Sequence, residues 1–129
     1  MITSDIASYL AAASLGTVGV DIFDTALPES VNNALMVRDY PGDLPSFDHD
    51  QDTPALKFPR VQLVARNQDV AAAFASLAAA FDTIHSIKNT TINGTNYLRA
   101  VALQDSFYLR QDDRDRHYVV FNARITVAG

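Results

Sequence analysis

The sequence predicts an α+β fold in which two helices pack on one mixed or antiparallel sheet, and two patterns carry this prediction. Between residues 70 and 84, apolar side chains recur every three or four residues, as on one face of a helix: Val70, Phe74, Leu77, Phe81 and Ile84. Runs with a strand-like pattern at 60–66 and 97–103 flank this segment and indicate strands. A helix between strands of one sheet is expected to cover a face of that sheet.

The predicted element order is α-β-β-β-α-β-β, and its first third holds one helix and two brief strands. Ser4 can cap a helix over residues 5–15, and Gly16 is placed to end it. Turn residues then separate strand candidates at 18–23 and 34–39.

The second half predicts the central helix and the strands that follow it. Asn67 and Asp69 can accept hydrogen bonds from the first free N–H groups of a helix over 70–87. Asn93-Gly94 is a strong type I′ turn signal and predicts a short hairpin. The last strand alternates between an apolar, core-facing set (His117, Val119, Phe121, Ala123, Ile125, Val127) and a mixed set facing solvent or a partner (Tyr118, Val120, Asn122, Arg124, Thr126).

The segment from about 41 to 58 is predicted to be an irregular acidic loop within a single domain spanning residues 1–129. Prolines at 41, 45, 54 and 59 and clustered acidic residues leave it little apolar area to bury, so we expect residues 41–53 to be poorly ordered in the free subunit. Within it, Asp48, His49, Asp50 and Asp52 suggest a metal hypothesis. The Gly and distal Glu of an EF-hand loop are missing, and one His is too little for zinc, so solvated loop charge is the better interpretation.

Composition narrows the class of function. The net charge of −5 argues against strong nucleic-acid binding, because phosphate neutralisation needs a basic surface. The chain has no cysteine and no apolar run near the ~20 residues of a membrane span, and its first residues lack the basic start of a secretory leader. Eight of the ten basic residues are Arg, which is enriched at protein interfaces, although codon usage explains this excess about as well.

The residues offer no catalytic constellation. His85 lies near the edge of the helical stripe, where a packed or surface histidine is expected, and nothing marks His117 as a base. The five glycines are scattered singly, so no phosphate-binding loop is present in the sequence. We therefore predict no enzyme activity and no catalytic, cofactor or metal residues.

The order of motifs along nearly the whole chain resembles a known family. The segments are SDIASYLAAASLGTVGVDIF, LPESVNNALMVRDYPG, PRVQLVARNQDVAAAFASLAAAFDTIH and TINGTNYLRAVALQDSFYLRQDDRDRHYVVFNARI. They resemble the small tail terminator (tail completion, or minor capsid) proteins of long-tailed bacteriophages, with strand P-x-V-Q-V-x-x-R, an N-G turn and a near-terminal Q-x-P-x-x-L-G-R-D-x-x-G-R. The matching residues are Pro59, Val61, Gln62, Arg66, Asn93, Gly94, Gln104, Leu109, Asp112 and Arg116, ahead of Asn122 and Arg124.

The sequence departs from this family pattern at two positions. Ser106 stands where proline is usual, and Asp115 stands where glycine is usual. Aspartate tolerates positive φ less well than glycine, so the second departure bears on the tight turn before the last strand.

The resemblance implies a structural virion protein of the phage tail or neck, assembled in the host cytoplasm. Such proteins form a ring, generally a hexamer, on the head-proximal end of the tail tube, where they end polymerisation and provide the head-joining surface. The implied partners are further copies of the chain, the major tail tube protein and a head–tail connector or stopper protein. DNA only passes through the ring, and no membrane is involved.

Three arginines are the predicted subunit-contact residues, because they lie in strands: Arg66, Arg99 and Arg124. Replacing any of them with Glu is expected to leave folding intact and to impair assembly. The alternative functions are another neck component (a head-closure or connector protein) and, from a different class of protein, a small metal- or ligand-binding module. Residue chemistry alone does not separate the terminator from the other neck proteins, because both need only self-association and docking surfaces.

Overall fold

A computed structural model describes residues 1–47 and 54–128, in which two helices and seven strands form one α+β unit. The fold class and the helix–strand layout of the prediction are confirmed, with two short strands added in the second half. The elements are α1 (Ile2–Ala12), β1 (Ile22–Asp24), β2 (Ala34–Phe47), β3 (Pro54–Asn67), α2 (Val70–His85), β4 (Lys88–Ile92), β5 (Thr95–Ala102), β6 (Phe107–Gln111) and β7 (His117–Ala128).

The sheet is mixed and has the order β1-β2-β3-β7-β5-β4, with β6 pairing on β7. β1 runs parallel to β2, and every other pair is antiparallel. β3 pairs along one edge of β7; β5 takes the carboxyl-terminal half of the other edge and β6 the amino-terminal half. The last strand therefore lies in the middle of the sheet.

Both helices contribute to one core against the inner face of the sheet, and the predicted helical stripe is rotated from its expected position. α2 buries Ala73, Leu77, Ala80 and Ile84, whereas Phe74 and Phe81 are half-buried at the margin of the core and Val70 is 37% exposed. The small alanine side chains let α2 approach the sheet closely, which moves the bulkier phenylalanines to the sides of the contact. The core-facing set of β7 is confirmed from Val119 to Val127.

The N-terminal cap of α2 and the turn between β4 and β5 agree with the sequence, whereas the helix ends at His85 and not at the predicted residue 87. The Asp69 side chain accepts a hydrogen bond from the Ala71 N–H at 3.0 Å. The Asn67 side chain accepts from the N–H of Asp69 itself at 2.9 Å, just outside the helix. Asn93 and Gly94 have φ of +49° and +81°, as a type I′ turn requires.

The boundaries predicted for α1 are wrong at both ends. The helix begins at Ile2, and the Ser4 hydroxyl donates to the Met1 carbonyl inside the first turn instead of capping it. Asp5 lies in the first turn of the helix, and its buried carboxylate accepts hydrogen bonds from the Tyr97 hydroxyl and from Asn93 Nδ2. Burial and this Asp5 contact raise the pKa of Tyr97 well above its ordinary value.

Gly16 does not cap α1 as predicted; it allows the Asp21 side chain to lie close to the backbone at position 16. The cap residue of α1 is Ala13. A Cβ on Gly16 would lie 2.5 Å from Oδ1 of Asp21, the carboxylate that accepts a hydrogen bond from the Thr17 N–H. A side chain at position 16 would therefore push the Asp21 carboxylate away from the Thr17 N–H, a contact of the turn that leads into β1.

The expected irregular loop over 41–58 is wrong for residues 41–47 and 54–58, which belong to β2 and β3. The two strands pair antiparallel as far as Phe47 and Pro54, with register shifts between Tyr40 and Asp43 and again before Phe47. Pro41 and Pro45 fall at these shifts, where a ladder tolerates a residue without an N–H. The metal hypothesis on residues 48–52 lies outside the described residues.

No helix in the described part of the chain is long and apolar enough to cross a membrane.

Candidate functional site

The outer face of the sheet, opposite the helices, is partly covered by the chain between β1 and β2. Met36, Val64, Tyr118 and Val120 form a second apolar cluster there, against which Leu27 packs. The mixed set of β7 is consequently more buried than the sequence indicated: Tyr118, Val120 and Asn122 are all buried, and Arg124 is exposed. These residues of β7 are buried because the connection between β1 and β2, which is distant in sequence, packs over them.

Arg66 holds this covering segment to the sheet. Its guanidinium is 2% exposed and donates from Nη2 to the carbonyl oxygens of Pro28 and Val31. Nη1 donates to the Tyr118 hydroxyl at 3.3 Å. Neutral oxygen acceptors from the covering segment and from the neighbouring strand thus hydrogen-bond both Nη atoms of the buried cation, whereas its Nε–H has no partner.

Arg116 makes a second anchor, two residues before the buried part of β7. Its side chain is 1% exposed and contacts Oδ2 of Asp112 at 2.8 Å and Oε2 of Glu29 at 3.0 Å. It also donates to the Glu29 carbonyl at 2.9 Å. The Tyr118 hydroxyl donates to Asp112 at 3.1 Å, so the two arginine anchors share one network.

The same aspartate shapes the turn between β6 and β7. Oδ1 of Asp112 accepts the N–H groups of Arg114 and Arg116, each at 3.0 Å. Asp115 then adopts φ of +59°. This residue stands where the family pattern has glycine, and the network around Asp112 maintains the left-handed conformation without one.

The electrostatics of the network follow from these contacts. Burial alone would raise the pKa of the Asp112 carboxyl, but hydrogen bonds from the Arg116 side chain and from the N–H groups of Arg116 and Arg114 lower it well below its ordinary value. The hydrogen bond to Asp112 raises the pKa of Arg116. Both groups are therefore charged at neutral pH.

This pKa shift predicts an acid-dependent stability. A carboxyl with a lowered folded pKa stabilises the fold above its ordinary pKa of 3.8 and loses that contribution as pH falls through the folded value. In urea unfolding from about pH 7 down to about pH 2, Asp112→Asn should be less stable than wild type, with a difference that shrinks below about pH 4. Asp113→Asn, in the same turn, is the control. A difference that stays constant to the lowest pH would contradict the assignment.

A polar row crosses the outer face beside the apolar cluster. Arg38 Nε donates to Gln62 Oε1, and Gln62 Nε2 donates to Asn122 Oδ1 at 3.1 Å. Gln104 Oε1 accepts the N–H of Asn122 at 3.3 Å, in the gap between the end of β5 and the start of β6. Several residues that carry the family resemblance, separated in sequence, thus meet in two hydrogen-bonded networks.

The two described histidines considered in the sequence analysis, His85 and His117, make hydrogen bonds within the fold. His85 Nδ1 donates to the Phe81 carbonyl at 2.8 Å, and its Nε2 accepts the N–H of Ala102 at 3.2 Å where β5 ends. His117 Nδ1 lies 2.9 Å from the Tyr108 hydroxyl. Among the described residues, no group of three or more His, Asp or Glu side chains is arranged to hold a metal.

β6 is the most exposed apolar element of the sheet. All five of its residues are exposed, and Phe107, Tyr108 and Leu109 are each 39–47% exposed. One edge of β6 pairs with β7, and no strand of the described residues pairs with the other edge. An open, apolar strand edge is a template for pairing with another chain, so β6 is the candidate interaction surface.

The structure separates the three arginines predicted to contact a neighbouring subunit. Arg99 and Arg124 are exposed on the outer face: Arg99 pairs with Thr126, two residues along β7 from Arg124. The Arg124 guanidinium lies over the Phe58 ring at 5.8 Å. Arg66 pairs with Tyr118, six residues or roughly 20 Å away along the strand, and its side chain is engaged inside the subunit.

Sequence reasoning did not single out β6 as a candidate interaction surface. The terminal strand with its mixed outer face was the expected partner-facing element, whereas β7 has neighbours on both sides. The available signal was Phe107-Tyr108-Leu109, three large apolar residues in a run too short to be a buried strand of its own.

The fold and this surface define an α+β structural subunit whose exposed chemistry suits association. The sequence model of the bacteriophage tail terminator protein family matches residues 9–128, and the chain belongs to that family. It is a structural protein of bacteriophage-type tails.

The comparison with solved structures agrees on the fold. A chain from the virion of a native gene transfer agent (GTA) particle superposes with a TM-score of 0.69 at 19% identity, covering 99% of this chain and 95% of that chain. At this identity the similarity concerns the fold alone. No curated protein sequence matches the chain significantly.

Proposed function

We propose that this protein forms a closed ring of six subunits on the head-proximal end of the tail tube, ends tube polymerisation there and presents the surface that joins the head. The observation that carries the proposal is the open apolar edge of β6 in a chain of the tail terminator family. The partners are further copies of the chain, the major tail tube protein and the head–tail connector or stopper protein. The ring acts in the virion neck after assembly in the host cytoplasm.

The chemistry of the subunit supports this role. An exposed strand edge supplies unpaired N–H and C=O groups, and its apolar side chains add area that becomes buried on association. A chain with net charge −5 and only two lysines offers DNA little to bind, so DNA can pass through such a ring without adhering.

The direct test uses phage tails assembled without their terminator. Purified protein is added, and electron microscopy measures tube length and the fraction of tails that join heads. Addition should fix tube length and restore head joining. Tails of normal length and full head-joining activity without the protein would overturn the proposal, and binding to heads alone would identify a head-closure protein instead.

Charge reversal on the outer face should weaken assembly in the same assay. Arg99→Glu is a surface change, so the free energy of unfolding should shift by less than about 0.5 kcal/mol. Arg124→Glu also removes the contact with the Phe58 ring, which adds a cost of about 0.5–1 kcal/mol. Head joining should fall in both variants, because the altered contact recurs at each interface of a ring. Lys57→Glu is the control, because it makes an equal charge change at an exposed residue of β3 that lies beside the start of α1 and not on the outer face. Unimpaired assembly by both arginine variants would remove these residues from the interface.

A further inference from the structure

One row of paired residues crosses five strands and joins two opposite ends of the sheet. Phe23 of β1 pairs with Met36, Met36 with Val64, Val64 with Val120, and Val120 with Phe107 of β6. In this half of the molecule the sheet therefore runs β1-β2-β3-β7-β6. Its two ends are different surfaces, one formed by β1 and the other by β6.

Both ends carry exposed apolar side chains. At the β6 end these are Phe107, Tyr108 and Leu109, with Leu103 nearby in the sequence. At the β1 end, Val18 is 47% exposed and Val20 is 63% exposed. Six of the nine large apolar residues exposed in the described chain thus belong to the two ends of this row or to the chain that leads into them.

The turn that presents Val18 and Val20 is held by its own hydrogen bonds. The N–H groups of residues 20–22 all bond to the Thr17 carbonyl, and the Gly19 N–H bonds to the Ile22 carbonyl. Gly19 has φ of +86°, which favours glycine at this position. Because the turn is already ordered, a partner would meet it without a large loss of chain entropy.

The charges at the two ends are complementary. Residues 17–24 carry only acidic charges, Asp21 and Asp24, whereas β6 carries only the cation of Arg110. The Arg110 guanidinium stacks over the Tyr118 ring at 4.2 Å, which fixes its position beside the strand. Opposite charges on two unlike surfaces favour contact between the ends over pairing of either end with itself.

We propose that the β6 end of one copy docks on the β1 end, including Val18 and Val20, of the next copy. This inference rests on the proposed ring, since two unlike surfaces at opposite ends of one subunit give head-to-tail association that closes when the rotation between copies permits. The contact places the apolar residues of both ends against each other and Arg110 beside the aspartates of the neighbour.

Disulfide trapping tests the contact directly, because the chain has no cysteine of its own. A Val20→Cys/Leu109→Cys double variant is bound to terminator-deficient tails, oxidised and run on a non-reducing gel. A ladder of covalent multimers up to the ring size, collapsed by reductant, is the expected result. An equimolar mixture of the two single variants should stop at a mixed dimer.

Val70→Cys/Leu109→Cys is the matched control, since Val70 is exposed at the start of α2. It should give no ladder; a ladder as strong as that of the test pair would overturn the contact. Self-linking of Leu109→Cys alone would overturn it in favour of a symmetric β6 pair. Rings visible on tube ends without cross-links overturn the contact and leave the ring in place, whereas the absence of rings overturns both.

Discussion

Arg66→Met should lower the free energy of unfolding by about 2–4 kcal/mol. The substitution removes three hydrogen bonds and leaves the carbonyl groups of Pro28 and Val31 facing an apolar side chain. A buried acceptor without a donor loses its solvation without compensation, and that loss exceeds the gain from a better packed methionine. Urea denaturation followed by circular dichroism measures the change, and amide hydrogen exchange should show faster exchange in residues 25–33.

Arg99→Met is the matched control, because Arg99 is also a strand arginine on the outer face but is exposed. Its free energy of unfolding should change by less than about 0.5 kcal/mol. Equal stability of the two variants would contradict the anchoring role of Arg66. The contrast also revises an expectation from the sequence, since Arg66→Glu now places an acidic group among buried oxygen acceptors and should unfold the protein rather than spare it.

Local sequence chemistry predicted the elements whose geometry is set by neighbouring residues. The Asp69 cap, the Asn93-Gly94 turn and the alternation of β7 all depend on residues a few positions apart, and all are present. Helix and strand periods are properties of the backbone, so patterns of 3.6 and 2 residues reveal them without knowledge of the fold.

Features that depend on distant segments could not be predicted in this way. The arginines at 66 and 116 are buried because residues 28–31 fold back over β3 and β7, about 35 and 87 positions away in sequence. The burial of Asp5 likewise depends on Tyr97 and Asn93, which lie 92 and 88 positions away in sequence. A charged residue in a strand looks the same in sequence whether it faces solvent or a covering loop.

The candidate interaction surface also combines features that the sequence predicts with features that only the fold reveals. Family-pattern residues such as Gln62, Asn122, Asp112 and Arg116 were identified singly, and the structure unites them in networks that order the outer face and the β6–β7 turn. Their contacts position β6 and its apolar edge, which the pattern itself does not contain apart from Leu109. The residues of the family pattern therefore hold β6 in place, whereas the exposed apolar residues of β6 form the candidate interaction surface.

Phe121→Ala should cost about 3–5 kcal/mol of unfolding free energy, the largest effect expected of any single core truncation here. Phe121 is fully buried on β7, and its ring meets that of Phe81 on α2 edge to face, with centroids 5.3 Å apart. Phe81→Ala should cost about half as much, because Phe81 is only half-buried at the margin of the core.

A double-mutant cycle on these two rings tests how α2 is joined to the sheet. Because each truncation removes the same ring contact, the double variant should be about 0.5–1.5 kcal/mol more stable than the sum of the single effects predicts. Phe74→Ala, also half-buried on α2, replaces Phe81→Ala in the control cycle and should be nearly additive with Phe121→Ala. Additivity in both cycles would contradict the edge-to-face contact and the close approach of the alanine-rich helix to β7 that brings the rings together.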